Sequence, residues 1–223
     1  MDRATQKLPL LAIAATLLAL FVGVAGASAG GGSGGVGTGG HSSGGGGKDN
    51  DRNRCKSARF GSRTLSRGDC GSDVKTLNWM LRSKASGVDL AKDYRGSTAS
   101  AVRSFERSRS LKVDGVVEKK TRSALTRSLP KGNATWYGPT LYGNGVACGG
   151  TLHKGTIGVA HKTMACGTKV LVGYRGHWVR TKVIDRGPYG THAQWDLTEA
   201  TAKRLHFKST GAGKISFAKV KRH

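Results

Sequence analysis

Acidic side chains are scarce in this chain of 223 residues. It holds 13 Asp and Glu against 37 Lys and Arg, which gives a formal net charge of +24 at pH 7. The excess is not confined to a tail, since residues 48–131 carry 21 basic and 9 acidic side chains, and residues 132–223 carry 14 and 3. Those last three are Asp185, Asp196 and Glu199. Any carboxyl chemistry in the second half must use one of them.

Cysteine is also sparse, and its spacing argues against a zinc site. None of the four forms a CxxC pair or stands beside a histidine cluster, so no metal is expected. An even number in an exported protein favours disulfides, although the sequence alone does not fix their pairing. We expect Cys55–Cys70 and Cys148–Cys166, because local pairing closes only one short loop each time.

The N-terminus has the features of an export signal. Arg3 and Lys7 precede an apolar run over residues 8–24, and Ala27-Ser28-Ala29 is a small-x-small cleavage pattern. We therefore predict a signal peptide over residues 1–29 and no stable membrane insertion after its removal. The alternative is an uncleaved anchor, since roughly 17 residues is the lower limit for a spanning helix.

The segment after the predicted signal peptide contains almost only Gly, Ser, Thr and His. Such a composition buries too little apolar surface to offset the entropy of ordering, so we predict a linker over residues 30–54. The remaining length suits two small domains. We place them at residues 55–130 and 131–223, each with one predicted disulfide.

The first of these domains has apolar residues at helical spacing. Three short helices are predicted, the second with Thr98 as its candidate N-cap. The apolar stripes are Val74, Leu77 and Leu81; Ala101, Val102 and Phe105; and Ala124 and Leu125.

The motifs of this domain point to a known family. Leu65-Ser-Arg-Gly68, Asp73-Val-Lys-Thr-Leu77 and Leu111-Lys-Val-Asp-Gly-Val116 resemble the peptidoglycan-binding type 1 domain, a three-helix wall anchor. Glu118-Lys119-Lys120 stands where that family usually has a Gly-Pro pair, so the start of the third helix is left open. The resemblance implies that this domain binds peptidoglycan.

Trp79 does not follow the helical stripe. At 100° per residue it lies about 140° from the face of Val74, Leu77 and Leu81, which predicts an exposed side chain. An exposed Trp could stack on a sugar ring or pack against the second domain, and both alternatives stay open.

The second domain shows strand patterning. Thr168–Tyr174 and Trp178–Asp185 alternate with a period of two around a predicted turn at Arg175-Gly176, and Gly213–Val220 repeats the pattern. Thr198–Leu205 is predicted as a helix. A compact closed barrel with one or two helices fits this order of elements.

Five short motifs occur in a fixed order in this domain: Ala134-Thr-Trp-Tyr-Gly138, Ala160-His-Lys-Thr163, Cys166-Gly-Thr168, Asp185-Arg-Gly-Pro188 and Trp195-Asp-Leu-Thr198. Together they resemble the double-psi β-barrel of the rare lipoprotein A family, which is related to expansins and barwin-type endoglucanases. The resemblance implies a multidomain chain in which a small three-helix α domain precedes an all-β, six-stranded double-psi β-barrel that acts on peptidoglycan glycan strands.

The candidate catalytic residues are Asp185, Asp196 and His161. Cleavage of a glycosidic bond needs a proton donor and a group that handles the oxocarbenium-like centre. Asp185 could instead stabilise a corner before Gly187-Pro188, and Asp196 could form a capping box with Glu199, which we assign to the helix start and solvent. His161 matches the family's His and could orient an Asp, unless backbone groups occupy its ring nitrogens.

The chain departs from the family at Gly149-Gly150, where many such barrels have Gly-Glu. A hydrolase needs two carboxylates about 5 to 10 Å apart, whereas a lytic transglycosylase needs one, because the muramyl C6 hydroxyl attacks within the substrate. We therefore favour a lytic transglycosylase-like reaction, with non-catalytic, expansin-like wall loosening or binding as the alternative.

Aromatic side chains near the motifs are candidates for sugar contact, since ring faces stack on the CH faces of sugars. Trp136 is also the strongest candidate for the core. The predicted partners are peptidoglycan glycan strands and, because of the basic charge, anionic wall polymers, although a merely solvated basic surface is the alternative. No nucleic-acid motif is present, so nucleic acid is not an expected partner, and neither is a cofactor. The candidate substrate-binding residues are Tyr137, Tyr189, Trp195, Trp136 and Trp79.

Overall fold

The computed structural model describes Cys55 and residues 58–221. The predicted signal peptide at residues 1–29 and the predicted linker at residues 30–54 lie outside the described residues. In the described part, no helix has the length and apolar character needed to cross a membrane.

Three helices come first, as the apolar spacing predicts. They are α1 (Ser72–Arg82), α2 (Gly96–Ser108) and α3 (Lys119–Arg127). Thr98 is not the N-cap of α2, because the helix begins two residues earlier. The Thr98 hydroxyl is buried and donates to Asn78 Oδ1 at 2.8 Å, which ties α2 to α1.

A six-stranded closed barrel follows, which confirms the predicted fold class. The strand order around the barrel is β1-β5-β2-β4-β3-β6, with β1/β5 and β2/β4 parallel and the other pairs antiparallel. A short helix, α4 (Glu199–Arg204), follows β5. The strands are β1 (Lys131–Tyr137), β2 (Val159–His161), β3 (Lys169–Tyr174), β4 (His177–Asp185), β5 (Trp195–Thr198) and β6 (Gly213–Lys219).

The β3–β4 hairpin turns where the sequence predicts. Arg175 and Gly176 both have positive φ, at 46° and 82°. Two central residues with positive φ give a turn whose twist matches that of the flanking strands. Because Tyr174 pairs with His177, the hairpin has a tight two-residue turn.

Strand β3 is buried on both faces. Val170 and Val172 belong to the barrel core, whereas Leu171 points the other way and packs in the apolar cluster of the helical domain. Ala218 and Val220 belong to the same cluster of the helical domain as Leu171. The helices and the barrel thus share apolar packing within one compact unit, and the boundary between residues 130 and 131 stays a prediction.

The predicted exposure of Trp79 is wrong. Its side chain is only 8% exposed and lies in the same cluster as Leu171. Helical periodicity predicts an exposed Trp79 only if one face of α1 is in contact with solvent. That condition is not met, because α1 packs against α2 and also lies against the barrel strands β3 and β4. Trp79 is therefore a packing residue, and the structure does not support its sugar-stacking alternative.

Polar contacts also join the helices to the barrel. Arg180 of β4 donates through Nη1 to Ser72 O at 2.9 Å and to Thr76 Oγ1 at 2.6 Å. Arg82 Nε donates to Lys221 O at 3.0 Å. Because Arg180 is partly buried, desolvation lowers the pKa of its guanidinium, so these contacts orient a cation that has lost part of its hydration.

We expect helices and barrel to unfold in one transition. Replacing Leu171 by Ala should lower the free energy of unfolding by about 2–5 kcal/mol, because it removes buried methyl groups from the shared cluster. Urea unfolding followed by hydrogen exchange in α2 and β5 measures this. The control Lys182→Ala, at an exposed position on β4, should change stability by less than about 0.5 kcal/mol. Separate transitions for α2 and β5 would contradict the shared core.

Candidate active site

Both candidate aspartates lie on one face of the barrel, on either side of β2. The register pairs Thr135 with Asp196, Asp196 with Ala160, and Ala160 with Asp185 across β1, β5, β2 and β4. Side chains at paired positions point to the same side of a sheet, and neighbouring strands lie about 4.8 Å apart. The two aspartates therefore share one face, with Cα atoms about 10 Å apart, and the small Ala160 leaves the space between them open.

This row forms the floor of an open groove of about 370 Å³, which we call the aspartate groove. The chain after β4 supplies one wall through Gly187-Pro188 and Tyr189, and the chain after β1 supplies Leu141. An open groove with carboxylates on its floor suits a polymer better than a small molecule, which binds in an enclosed pocket.

Asp196 has the properties of a proton donor. Burial disfavours its charged form and raises its pKa to about 6, and the nearby charge of Asp185 adds to the shift. The Thr135 hydroxyl donates to Asp196 Oδ1 at 2.8 Å and acts in the opposite direction, since it favours the charged form. The carboxyl group is thus partly protonated near neutral pH.

The capping-box alternative for Asp196 is wrong. Asp196 lies inside β5, and the N-cap of α4 is Thr198, whose hydroxyl oxygen accepts a hydrogen bond from the backbone N–H of Thr201. The helix start therefore needs no contribution from Asp196, and its side chain is directed to the groove.

Asp185 is held by backbone groups at the end of β4. Its Oδ1 accepts hydrogen bonds from the N–H of Ala147 at 2.9 Å and of Arg186 at 2.8 Å. The contact with Ala147 fixes the loop between β1 and β2 against the groove. Asp185 therefore stabilises the corner after β4, as the alternative prediction states. It also lies on the groove floor.

Both predicted disulfides are confirmed, as Cys55–Cys70 and Cys148–Cys166. The second one joins the loop next to Ala147 to the segment after β2. Gly149 and Gly150 follow in that loop with φ of 89° and 90°, a backbone conformation that favours glycine over Glu. The loop therefore brings no carboxylate to the groove at the position where the resembled family has one.

Tyr137 and Tyr189 both line the aspartate groove. Tyr189 is 70% exposed, so its ring is available to a ligand. The Tyr137 hydroxyl is buried and makes no hydrogen bond of ordinary geometry in the described part of the chain. Burial, followed by the charge of Asp185, raises its pKa well above the ordinary value. The proposed substrate contacts of these two tyrosines are compatible with their positions.

The tryptophans are placed differently. Trp195 is fully buried, at 0% exposure, and packs in the barrel core against Phe217, so it cannot contact a substrate. Trp136 borders the groove but packs against the barrel core, with Lys208 Nζ 5.3 Å from its ring centre. The prediction for Trp195 is wrong because the side chains of adjacent strand residues point to opposite faces of the sheet. Asp196 faces the groove, so its neighbour Trp195 faces the barrel core.

The structure does not bring His161 to the aspartates. His161 pairs with Trp195 across β2 and β5, and the two rings lie 4.7 Å apart on the face opposite Ala160. Its Nδ1 accepts hydrogen bonds from the N–H groups of Thr163 and Met164. Burial, and then the charges of Arg186 and Lys219, lower its pKa. The contacts of His161 therefore agree with the alternative prediction, in which backbone groups form hydrogen bonds with the ring.

The predicted solvent exposure of Glu199 is also wrong. It begins α4 as predicted, but it is buried and not solvent-facing. It accepts hydrogen bonds from Tyr142 Oη, from Lys203 Nζ at 2.9 Å and from Lys208 Nζ at 2.6 Å. These partners, Lys208 first, lower the pKa of Glu199 to about 2, and the bond to Glu199 raises that of Tyr142 to about 12. Glu199 is therefore a fixed anion that anchors the Tyr142 loop, and not a proton donor.

Comparison with known families agrees with this architecture. Residues 130–217 match the family described as lytic transglycolase, and residues 70–125 match the family described as a putative peptidoglycan binding domain. The helical match covers α1, α2 and most of α3, and the other match covers all of β1 to β5 and most of β6.

Two curated relatives are similar to the barrel region. The probable endolytic peptidoglycan transglycosylase RlpA of Synechocystis sp. is 30% identical over 96 residues, which is 42% of this chain and 30% of that protein. The endolytic peptidoglycan transglycosylase RlpA of Pseudomonas aeruginosa is 35% identical over 86 residues, which is 38% of this chain and 25% of that protein. The matched segment thus spans less than a third of either relative.

Among solved structures, the expansin of Clavibacter michiganensis is 27% identical with a TM-score of 0.34, over 41% of this chain and 50% of that one. A likeness at this score adds no argument. The motifs, the closed six-stranded barrel and the two family matches agree with one another. This chain therefore carries a rare lipoprotein A-like double-psi β-barrel, which a type 1 peptidoglycan-binding domain precedes.

Proposed function

We propose that the protein binds peptidoglycan and cleaves its glycan strands by a lytic transglycosylase-like reaction in the aspartate groove. The observation that carries this proposal is the Asp196 carboxyl group, which is partly buried, has a pKa raised to about 6 and faces an open groove beside a second carboxylate. The names of the matched family and of the relatives support the same substrate class.

The reaction needs one group that first gives and then takes a proton. Protonated Asp196 donates its proton to the glycosidic oxygen as the bond to C1 of the muramyl residue breaks. The C6 hydroxyl of that residue attacks C1, and its proton returns to Asp196, which restores the acid. The products are a free hydroxyl on the leaving sugar and a 1,6-anhydro ring, and no water is consumed.

Asp185 contributes charge to the same site. Its carboxylate lies two strands from Asp196 and on the same face, where a negative charge stabilises the positive charge that develops at C1 and the ring oxygen. Tyr189 and Tyr137 line the groove, and in this scheme their rings contact sugar units of the bound strand. His161 takes no direct part in this scheme, because its ring lies on the opposite face of the sheet.

Non-catalytic, expansin-like loosening or binding is the second candidate function. Gly149-Gly150 favours it, because the loop offers no second acid where related barrels have one. In that case Asp196 acts as a ligand contact in the glycan groove. Analysis of the released products distinguishes the two functions.

The helical domain fits a role as the wall anchor in this scheme, as its family match suggests. The shared packing around Leu171 would then hold the anchor and the groove in a fixed relation. Together with the predicted signal peptide, this supports a location in the bacterial cell envelope after export.

The first test replaces Asp196 by Asn, which keeps the shape and removes the proton. Release of anhydromuropeptides from purified sacculi should fall about 10²–10⁴-fold, the usual contribution of general acid–base catalysis. Mass spectrometry of the soluble products measures the release, and pelleting with sacculi should show unchanged binding.

The matched control for this variant is Asp89→Asn, an exposed carboxylate in the helical domain, which should keep full activity. His161→Ala should reduce the release less than Asp196→Asn does. If the wild-type protein binds sacculi but releases no anhydro product, the expansin-like function takes the place of the enzyme. Products with ordinary reducing ends would instead indicate a hydrolase.

The second test concerns the pKa of Asp196. Protonated Asp196 is the active form, so the rate should fall as the pH rises through about 6. Thr135→Val should raise this pKa, because it removes a hydrogen bond to the charged form, and Asp185→Asn should lower it, because it removes a like charge. Carbon NMR titration of the Asp196 carboxyl measures both shifts. A pKa near 3.8 in the wild-type protein would contradict the proton-donor role.

The same carboxyl group predicts a stability change of known sign. In the folded protein the pKa of Asp196 lies above the ordinary value of 3.8. The protonated carboxyl group therefore contributes its full stabilisation below pH 3.8, and this contribution is lost as the pH rises through about 6. The free energy of unfolding of the wild-type protein should therefore fall relative to that of Asp196→Asn between about pH 4 and pH 6. Urea unfolding of both proteins at several pH values checks this difference.

A further inference from the structure

A second groove, of about 540 Å³, lies between the helices and the barrel. We call it the basic cleft. One wall comes from α3 and from the segment before α1, at Arg59 to Gly61. The other wall comes from the tip of the β3–β4 hairpin, with the start of β1 and Ser216 of β6 beside it. The cleft exists only because the two domains pack against each other.

Cations dominate the lining of this cleft. Among the residues that the structure describes, no carboxylate lines it, and none of its cations forms an ion pair. Glu118 precedes one of them in the chain but is not part of the lining. The lining cations are Arg59, Lys119, Arg122, Arg127, Lys131 and Arg175.

Like charges that converge without counter-charges repel one another, and a bound polyanion relieves that repulsion. Three of the arginines are also held in position. Arg122 Nη1 donates to Arg63 O at 3.4 Å, Arg127 Nη1 donates to Ser123 Oγ at 2.7 Å, and the Arg175 guanidinium lies 5.2 Å from the centre of the Tyr174 ring. Each guanidinium keeps further N–H donors in a fork that suits phosphate and carboxylate oxygens.

Aromatic rings also line the cleft, at Trp178 and Tyr174. The Trp178 ring lies so close over Gly173 that a Cβ atom there would come within 2.2 Å of it. The Tyr174 ring packs edge-on against Phe207 at 5.0 Å. These rings are fixed by packing, and ring surfaces next to cations suit a ligand that alternates apolar CH surface with anionic groups.

The basic cleft is separate from the aspartate groove. The two share no lining residue. Lys131 begins β1 at the cleft, whereas Thr135 and Tyr137 lie at the groove, about 13–20 Å further along the strand at 3.3 Å per residue. A polymer in the cleft would therefore leave the groove open to a glycan strand.

We propose that the basic cleft binds an anionic wall polymer, a sugar or polyol chain with regularly spaced phosphodiester or carboxylate groups. Six cations spread over the cleft match several anionic groups of one chain better than they match a single small anion. The rings at Trp178 and Tyr174 add contacts to the sugar or polyol units between those groups. The cleft thus gives the protein a second attachment to the wall, in addition to its peptidoglycan contacts.

The test measures binding of the full-length protein to three soluble polymers by isothermal titration calorimetry. The polymers are a poly(glycerol phosphate) teichoic acid, a polyuronate and double-stranded DNA, matched in total charge. We expect one of the two wall-type polymers to bind more tightly than DNA, with an affinity that falls as salt rises, since surface charges are screened over about 10 Å at 0.1 M. The phosphate and carboxylate polymers show which anionic group is preferred.

The decisive variant is Arg127→Gln with Arg175→Gln, which removes one exposed cation from each wall. Affinity for the preferred polymer should fall about tenfold or more through the loss of two charge-assisted contacts. The matched control is Arg107→Gln with Arg204→Gln, two exposed cations outside the cleft, which should change affinity less than about twofold. Thermal melts of both double variants confirm that they fold.

Equal losses in the two double variants would overturn the proposal, because binding would then depend only on net charge. Tighter binding of DNA than of both wall-type polymers would overturn the proposed ligand class, and so would an absence of binding. Release of anhydromuropeptides from sacculi stripped of anionic polymers should be the same in both double variants as in the wild-type protein. That readout keeps a failure of the cleft proposal distinct from a failure of the aspartate groove.

Discussion

The position of β2 between β4 and β5 is the constraint on which the candidate site depends. This strand has only three residues, pairs parallel with β4 and antiparallel with β5, and places Ala160 between the two aspartates. Asp185 and Asp196 lie on strands that are not adjacent to each other, so their shared face exists only because β2 closes that part of the barrel. The partial burial that raises the pKa of Asp196 follows from the same packing.

The next level of organisation depends on β3, which is buried on both faces. Val170 and Val172 fill the barrel, while Leu171 fills the helical cluster. One strand therefore belongs to both apolar clusters and leads into the hairpin tip that faces α3 across the basic cleft. The basic cleft is a consequence of this arrangement, because its two walls come from different domains.

Acidic and basic side chains lie in different parts of this architecture. The few carboxylates of the barrel are either on the groove floor or, as with the buried Glu199, paired with two partly exposed lysines. In the part of the chain that the structure describes, the six cations that line the basic cleft form no ion pair. The same chain thus presents the aspartate groove, for which we propose proton transfer to glycans, and the separate basic cleft, for which we propose anionic polymers, about five strand residues apart on β1.

The sequence by itself determined the three helices and the hairpin at Arg175-Gly176, and it indicated both disulfides and the two candidate aspartates, because helical spacing, period-two alternation and local motifs are encoded over short stretches. It did not determine the burial of Trp79, the contacts of His161 or the ionic partners of Glu199. Each of these depends on which element packs against the second face of a helix or strand. The spacing of apolar residues identifies one buried face and gives no information about the other. Only the tertiary structure decided them, because barrel closure and the shared core set which side of each element meets water.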